Sequence, residues 1–323
     1  MAIIEGKKIK IFSLSANRPL AEEIAKTVGC ELGVCEVNYF ADGEINMNIP
    51  ETVRGHHVFV VQPTQTPVND TLMEVLIMCD ALKRASALTI NLIIPYYGYS
   101  RQDKKSRSRH PISAKLVADL IQTAGANRVI AMDLHAAQIQ GFFDIPIDNF
   151  LAMPILAQYL LKKKFKNIVV VSPDHGGATR ARMLANYLSA PMAIIDKNRP
   201  EPNKAEVMNI IGEVKGKTAI LIDDMVDTGG SLMVAAEALM NAGSDAVYAA
   251  CTHPILSGDA SDRILKSSLK ELICTNTVFL PDSKRNEKIV QLSVGKVLGQ
   301  GIIKILDDEP LSGLFQLETE EIR

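Results

Sequence analysis

Residues 219–231 read AILIDDMVDTGGS, an apolar run that ends in two acids and a turn of small residues. An unbroken run of aliphatic residues favours a strand that is buried on both faces. The next apolar residues recur at helical spacing, at Leu232, Ala235, Ala236 and Leu239. The stretch therefore predicts a strand, a tight turn and a helix in that order, which is the repeating unit of α/β folds with parallel sheets.

Similar units recur along the chain. Short apolar runs rich in β-branched residues occupy residues 58–61, 88–94, 128–132, 168–171, 193–195, 218–222 and 247–251. Two of the intervening segments show clear apolar stripes, one through Val68, Leu72, Val75, Met78, Cys79 and Leu82 and the other through Leu116, Leu120 and Ile121 behind Pro111. The alternation predicts βα units in which each of these helices buries its stripe against a parallel sheet.

Length and composition limit the organisation and the class of protein. The chain of 323 residues is about twice the commonest domain size, so we place a boundary between residues 1–150 and residues 151–323. A net charge of −2 predicts no overall attraction to nucleic acid or to an anionic membrane. No secretory signal occurs, and the five cysteines form no CxxC pair. These features predict a soluble cytoplasmic protein with neither nucleic acid nor membrane as a partner.

The turn at residues 227–231 has the composition of a phosphate cradle. A helix that starts directly after a strand aims N–H groups at the turn, and glycines let a ligand approach the backbone closely. Two hydroxyls and two glycines lie in this turn: Thr228, Gly229, Gly230 and Ser231. The carboxylates of Asp223 and Asp224 can accept hydrogen bonds from vicinal sugar hydroxyls. The alternative is an ordinary βα turn in which Asp and Gly serve only the backbone conformation.

The sequence resembles a known family at two places. Residues 223–231 resemble the phosphoribosyl-binding loop shared by phosphoribosyltransferases and phosphoribosyl-diphosphate synthetases. Residues 128–143, RVIAMDLHAAQIQGFF, resemble the signature of ribose-phosphate diphosphokinases, which ordinary phosphoribosyltransferases lack. The similarity extends from Ile9 to Phe315. It implies an α/β fold of two similar phosphoribosyltransferase-type domains, each a parallel sheet flanked by helices, with residues 293–305 returning to the first domain.

The resemblance also implies an activity. The diphosphoryl group of ATP would move to the C1 hydroxyl of ribose 5-phosphate, giving 5-phosphoribosyl 1-diphosphate and AMP for nucleotide biosynthesis. Mg²⁺ is the implied cofactor, with His135 and Asp174 as its implied ligands, and a carboxylate oxygen suits this hard ion. The residues implied to bind ribose 5-phosphate are Asp223, Asp224, Asp227, Thr228, Gly229, Gly230 and Ser231.

Further residues are implied to bind ATP and to act in catalysis. Residues 38–44, NYFADGE, place an aromatic side chain and two carboxylates on a turn that can stack an adenine. The residues implied to bind ATP are Phe40, Asp42, Glu44, Arg101, Gln102 and Asp103. In the family the first three reach the nucleotide site of a neighbouring subunit, so a homo-oligomer, a hexamer, is expected. Lys197 and Arg199, on a proline-bounded polar loop, are implied to stabilise charge during phosphoryl transfer.

Regulation is implied by the same resemblance. In phosphate-activated relatives a site for inhibitory ADP and activating phosphate includes the residues that match Thr52, Arg54, Lys105, Ser108, Arg109 and Ser312. Two other functions stay open: a non-catalytic subunit that associates with the synthetase, and a phosphoribosyltransferase that would consume the product with a nucleobase. The presence of His135, Asp174, Lys197, Arg199 and the 223–231 loop favours the enzyme.

Overall fold

A computed structural model of the chain describes residues 2–4, 6–198 and 207–315, with only the backbone described at residues 2, 197, 198, 207 and 208. The strands are β1 (Ala2–Ile4), β2 (Lys7–Ser13), β3 (Glu36–Tyr39), β4 (Ile45–Asn48), β5 (His57–Val61), β6 (Thr89–Ile94), β7 (Arg128–Met132), β8 (Ile147–Phe150), β9 (Ile168–Ser172), β10 (Met192–Asn198), β11 (Val207–Ile211), β12 (Thr218–Val226), β13 (Ala246–Pro254), β14 (Leu272–Thr275) and β15 (Ile289–Leu292). The helices are α1 (Arg18–Val28), α2 (Val68–Arg84), α3 (Ser113–Ala124), α4 (Met153–Lys162), α5 (Ala178–Tyr187), α6 (Gly230–Asn241), α7 (Ala260–Lys266) and α8 (Gly295–Leu306).

The described residues form two compact units. Unit 1 contains residues 2–4, 6–151, 277–279 and 293–315, and unit 2 contains residues 152–198, 207–276 and 280–292. The C-terminal segment that belongs to unit 1 therefore runs beyond the expected residues 293–305 and is joined by the short connection at 277–279.

Unit 1 is built on a six-stranded sheet with the order β1-β2-β5-β6-β7-β8. Every neighbouring pair is parallel except the edge strand β1, which pairs with β2 in the antiparallel sense. Strands β3 and β4 form a separate two-stranded hairpin. Helix α2 buries its predicted stripe, including Leu72, Val75 and Leu82, so that prediction is confirmed.

Helix α8 packs along α1 because its glycines permit close approach. A Cβ atom at Gly299 would lie 2.6 Å from Cβ of Thr27, and one at Gly301 would lie 2.5 Å from Cζ of Phe150. Real Cβ atoms do not come so close, so larger side chains would push α8 away. The glycines therefore allow this C-terminal segment to belong to unit 1.

Unit 2 is built on a seven-stranded sheet with the order β11-β10-β9-β12-β13-β14-β15. All neighbouring pairs are parallel except the edge pair β10–β11. The chain passes from β9 outward to β10 and then returns to β12 on the other side of β9. Such a reversal of strand order opens a crevice outside the carboxyl ends of the two central strands, where ligands bind in open α/β sheets.

The expected α/β fold with two sheets and flanking helices is confirmed, with one antiparallel edge strand added to each sheet. The predicted face of α3 is confirmed at Ile121 and wrong at Leu116 and Leu120. Leu116 and Leu120 are exposed, whereas the buried face holds Ala114, Val117, Ala118 and Ile121. Pro111 precedes the helix and is not in its first turn. The small alanine side chains allow the helix to pack closely on that face, which outweighs the larger apolar area of the leucines.

Among the residues that the structure describes, no helix combines the length and the apolar character that a membrane span requires.

Candidate active site

Strand β12 is longer than the sequence indicates. It was expected to end before Asp223, but it continues through both acids to Val226 and stays in parallel register with β13 as far as Pro254. Asp223 and Asp224 therefore lie near the C-terminal end of strand β12 and not in the loop that follows it. Their backbone is held by the sheet, and only the residues from Asp227 onward form the turn.

The turn enters helix α6 through a left-handed residue. Gly229 precedes the helix at φ +70°, and its carbonyl accepts a hydrogen bond from the N–H of Met233 at 3.0 Å. A positive φ favours glycine, so this position has a backbone requirement. Gly230 differs, because a Cβ atom there would meet nothing closer than Oγ1 of Thr228 at 3.8 Å and Nη2 of Arg263 at 3.9 Å. The chain itself leaves room for a side chain at Gly230, directly at the start of the helix.

The two acids share one arginine. Nη1 of Arg180, from α5, lies 3.4 Å from Oδ1 of Asp223 and 3.5 Å from Oδ1 of Asp224. Burial raises the pKa of Asp223 to about 7, and the hydrogen bond and charge of Asp224 act in the same direction while Arg180 opposes them. With its pKa this close to neutrality, the Asp223 carboxyl can donate or accept a hydrogen bond with a hydroxyl group.

A second arginine lies beside the turn. Nη1 of Arg263, on α7, donates a hydrogen bond to the carbonyl of Thr228 at 3.4 Å. The sequence analysis did not identify Arg263, which follows the turn by more than thirty residues and carries no motif of its own. Arg180 was not identified from the sequence either. In both cases the packing of helices against the sheet brings the cation to the turn.

The loop after β9 lies beside β12, since these two strands are neighbours. Asp174 is exposed there, and its Oδ1 accepts a hydrogen bond from the N–H of Gly177 at 3.0 Å. Next to it, Nδ1 of His175 lies 3.7 Å from Oδ1 of Asp196 on β10. Loops that carry acidic residues therefore follow the adjacent strands β9 and β12 at the switch point of the sheet.

The residues present fit Mg²⁺ only if other oxygens complete its shell. Asp174 offers a hard carboxylate oxygen, whereas His135 belongs to unit 1, is exposed, and offers nitrogen. Within the ranges that the structure describes, no three His, Cys, Asp or Glu side chains group closely enough to hold a metal ion. Mg²⁺ keeps several waters and takes substrate phosphates beside one or two carboxylates, so this sparse donor set suits it.

Of the two residues predicted to be catalytic, Lys197 lies on β10 and Arg199 comes after it in the chain. The Lys197 backbone pairs with Met208 of β11, and its side chain is outside the described residues. Arg199 lies outside them altogether. Both catalytic assignments therefore stay predictions. The apolar run ends at Ile195, but the strand continues to Asn198 and pairs with β11 in the antiparallel sense.

In unit 1 the hairpin β3–β4 carries the predicted adenine contact. The N–H of Phe40 donates to the carbonyl of Glu44 at 2.8 Å, and the N–H of Gly43 donates to the carbonyl of Phe40 at 2.9 Å. Oδ1 of Asp42 accepts from the N–H of Glu44 at 3.1 Å. The turn is thus closed by its own hydrogen bonds. Phe40 is 54% exposed, which is unusual for a phenylalanine. An exposed ring suits stacking on an adenine.

The other predicted ATP residues follow β6. Oε1 of Gln102 accepts a hydrogen bond from the Ser113 hydroxyl, and Asp103 is buried and accepts from Nε2 of Gln138. These side chains therefore connect the loop to α3 and to the short 3-10 helix at Ala137–Phe142. Arg101 is exposed.

His135 stands three residues beyond the end of β7, as predicted for a residue outside a strand's carboxyl end. Strand β7 is the neighbour of β6, so His135 lies at the same edge of the sheet as the loop that carries Arg101.

The predicted regulatory residues lie in two connections of unit 1 and in the turn that follows α8. Thr52 and Arg54 lie between β4 and β5, and Lys105, Ser108 and Arg109 lie between β6 and α3. Ser312 begins a 3-10 turn that ends at Phe315, whose ring makes an edge contact with Phe150 at 5.5 Å between centroids. This contact attaches the C-terminal turn to unit 1. The regulatory assignment itself remains a prediction.

Comparisons with known proteins decide the family. A family model for the N-terminal domain of ribose phosphate pyrophosphokinase matches residues 9–125, and a model for the phosphoribosyl synthetase-associated domain matches residues 199–316. The ribose-phosphate pyrophosphokinase of Bacillus subtilis is 59% identical over 309 residues, which cover 96% of this chain and 98% of that protein. The chain belongs to the ribose-phosphate pyrophosphokinase family. The predictions of this family and of an enzyme are confirmed.

Two further relatives agree. The ribose-phosphate pyrophosphokinase of Corynebacterium ammoniagenes is 58% identical over 310 residues, covering 96% of this chain and 98% of that protein. The crystal structure of phosphoribosylpyrophosphate synthetase from Mycobacterium smegmatis superimposes with a TM-score of 0.89 at 41% identity, covering 94% of this chain and 100% of that one. The family name indicates a transferase of nucleotide biosynthesis.

Proposed function

We propose that the chain transfers the diphosphoryl group of ATP to the C1 hydroxyl of ribose 5-phosphate, producing 5-phosphoribosyl 1-diphosphate and AMP. One observation carries this proposal beyond the family name: the acids and the phosphate-type turn of β12–α6 lie at the switch point of unit 2, beside the Asp174 loop. A sugar phosphate fits this arrangement because its two recognition groups, vicinal hydroxyls and a phosphate, have separate partners.

The turn at residues 227–231 binds the 5-phosphate in this proposal. N–H groups at the start of α6 and the hydroxyls of Thr228 and Ser231 are donors, and both hydroxyl residues are exposed. Asp223 and Asp224 accept from the ribose hydroxyls, with Arg180 holding their orientation. The pentose is thereby fixed at both ends, which positions its C1 hydroxyl for attack.

ATP is bound by residues of unit 1 in this proposal. Phe40 stacks on the adenine, and the carboxylates of Asp42 and Glu44 accept from its amino group or ribose, with Arg101, Gln102 and Asp103 forming the other wall of the nucleotide site. The C1 oxygen bonds to the β-phosphorus as the bond from that phosphorus to the α,β-bridging oxygen breaks. AMP leaves with that electron pair, and the hydroxyl proton is released.

Charge is balanced by two sets of groups in the proposal. Lys197 and Arg199 stabilise the negative charge that develops during transfer. Asp174 and His135 are the residues that would hold Mg²⁺ in this proposal, and the ion would supply charge neutralisation for the transferred group. The finer expectations of a cytoplasmic hexamer, with phosphate as activator and ADP as inhibitor, belong to the same proposal.

The direct test incubates the purified protein with ATP, Mg²⁺ and ribose 5-phosphate and measures AMP formation. AMP release that requires all three supports the proposal. The phosphoribosyltransferase alternative is tested with 5-phosphoribosyl 1-diphosphate and each nucleobase. Activity there without AMP release in the first assay would replace the proposal, and no activity in either would favour the non-catalytic subunit.

A substitution tests the cradle. Gly230→Val should raise KM for ribose 5-phosphate by about tenfold or more, because a side chain would occupy the ligand's approach to the helix start and remove one strong anion contact. KM for ATP should change little. A Cβ at this position would meet no atom closer than 3.8 Å, so the fold is expected to tolerate the substitution. Equal weakening of both substrates would show that the cradle is misplaced.

A further inference from the structure

Glu74, on α2 of unit 1, is the centre of a hydrogen-bond network that the mechanism above does not use. The residue is 0% exposed. Its Oε2 accepts from the N–H of Ser15 at 3.1 Å and from Nε2 of Gln62 at 2.8 Å. Its Oε1 accepts from the hydroxyl of Ser15 at 2.6 Å and from that of Tyr39 at 3.2 Å. All four of these donors are neutral groups.

Three of the four donors belong to the body of unit 1. Ser15 follows β2 and Gln62 follows β5, and these are neighbouring strands of the sheet. Gln62 is also fully buried, and its Oε1 accepts from the N–H of Ala16 at 3.0 Å. A carboxylate removed from water is costly unless hydrogen bonds satisfy it, so this group holds a defined geometry.

The fourth donor, Tyr39, belongs to the hairpin. Tyr39 ends β3 and pairs with Ile45 of β4, and two residues earlier Val37 pairs with Met47. Val37 and Met47 are partly buried against the core of unit 1. Residues two apart share one face of a strand, so Tyr39 lies on the face that meets the body. The next residue, Phe40, begins the turn and is exposed.

The chemistry of Tyr39 suits a donor at this position. The residue as a whole is 53% exposed, but desolvation of its hydroxyl raises the pKa of the phenol, and the charge of Glu74 and the hydrogen bond to it raise that pKa further. The hydroxyl therefore keeps its proton in the neutral range and remains a donor to Glu74.

We propose that Tyr39 and Glu74 are positioning residues for ATP, because their hydrogen bond sets the direction in which the hairpin presents Phe40. The inference rests on the proposed function, in which Phe40, Asp42 and Glu44 contact the nucleotide. Without the bond, the hairpin keeps its apolar contacts at Val37 and Met47, but its turn can pivot about them. The loss is expected in ATP binding and not in the fold.

Tyr39→Phe tests this, because it removes only the hydroxyl. KM for ATP should rise about three- to tenfold, the range expected for one hydrogen bond, while kcat and KM for ribose 5-phosphate stay within about twofold. The matched control is Tyr159→Phe, since the Tyr159 hydroxyl also donates to a glutamate, Glu271, at 2.6 Å, but in unit 2. This control should leave both KM values unchanged.

A double-mutant cycle separates positioning from a merely structural role. If Tyr39 acts through Phe40, then adding Tyr39→Phe to Phe40→Ala should raise KM for ATP no further. Additive effects, an unchanged KM for ATP in Tyr39→Phe, or an equal rise of both KM values would each overturn the inference while the wild type still releases AMP. A wild type that releases no AMP would overturn the proposed function and this inference together.

Discussion

Each unit contains an antiparallel pair of strands at a corresponding position along the chain. In unit 1, β3–β4 lies between α1 and β5, and in unit 2, β10–β11 lies between α5 and β12. The attachments differ. Strand β10 joins the sheet by pairing with β9 at residues 192–194, whereas in unit 1 the edge strand beside β2 is β1, and the segment before β3 meets β2 through the bridge between Leu32 and Ile11. The β3–β4 hairpin is a sheet of its own.

The difference teaches how each pair of strands is held. Strands β10 and β11 extend the main sheet of unit 2, so backbone pairing fixes the position of the Lys197 backbone opposite Met208. The β3–β4 hairpin lacks pairing with the main sheet of unit 1 and depends on side chains, namely its apolar face and the hydrogen bond from Tyr39 to Glu74. One pair of strands is thus positioned by the backbone and the other by side chains, including a buried carboxylate.

The largest effect is expected at Lys197 in unit 2. Lys197→Ala should lower kcat by about 10² or more with a modest change in KM, because charge stabilisation in the transition state is lost. Steady-state kinetics on both substrates measure this. Lys215→Ala, an exposed lysine between β11 and β12, is the control and should retain its rate. A raised KM with unchanged kcat would remove Lys197 from the transition state.

The next effect depends on both hairpins at once. The resemblance implies that the Phe40 turn serves a neighbouring subunit, so equal mixing of Phe40→Ala and Lys197→Ala proteins should restore up to about a quarter of the wild-type activity, since each position is filled correctly half the time. The mixture is assayed after exchange of subunits. Full activity of the wild type as a monomer at high dilution would reject the shared site.

A smaller effect is expected beside the phosphate turn. Arg263→Gln should raise KM for ribose 5-phosphate about three- to tenfold, because a charged donor near the 5-phosphate is replaced by a neutral one. KM for ATP should stay the same. The control is Lys266→Gln, an exposed residue of the same helix α7. If the control and Arg263→Gln behave alike, general surface charge and not the contact with Thr228 is responsible.

The smallest effect is a pH dependence of stability. Burial raises the pKa of Asp223 from 3.8 to about 7, so the folded protein keeps a proton that the unfolded chain releases. The contribution of this group is therefore fully present below pH 4 and is lost as pH rises towards 7. Asp223→Asn should show a smaller decrease in thermal midpoint over that range than the wild type. Asp262→Asn, exposed on α7, should follow the wild type.

Some features of the fold follow from local pattern. The runs at residues 58–61, 128–132 and 168–171 became strands β5, β7 and β9 with nearly the predicted bounds, because unbroken aliphatic runs suit strands covered on both faces. The stripe of α2 was also read correctly. The buried face of α3 was predicted correctly only at Ile121. Packing of the helix against its neighbours decides whether its alanines or its leucines are buried.

For this protein the sequence alone determined the strand–turn–helix units, the family, and the acidic and glycine residues of the β12–α6 turn, because these depend on neighbours in the chain. Tertiary structure decided what lies beside them. Arg180 and Arg263 reach the turn, and Glu74 meets Tyr39, only after helices pack on the sheets. Contacts between residues so far apart in the sequence depend on strand order and helix packing. Neither of these leaves a local pattern in a single sequence.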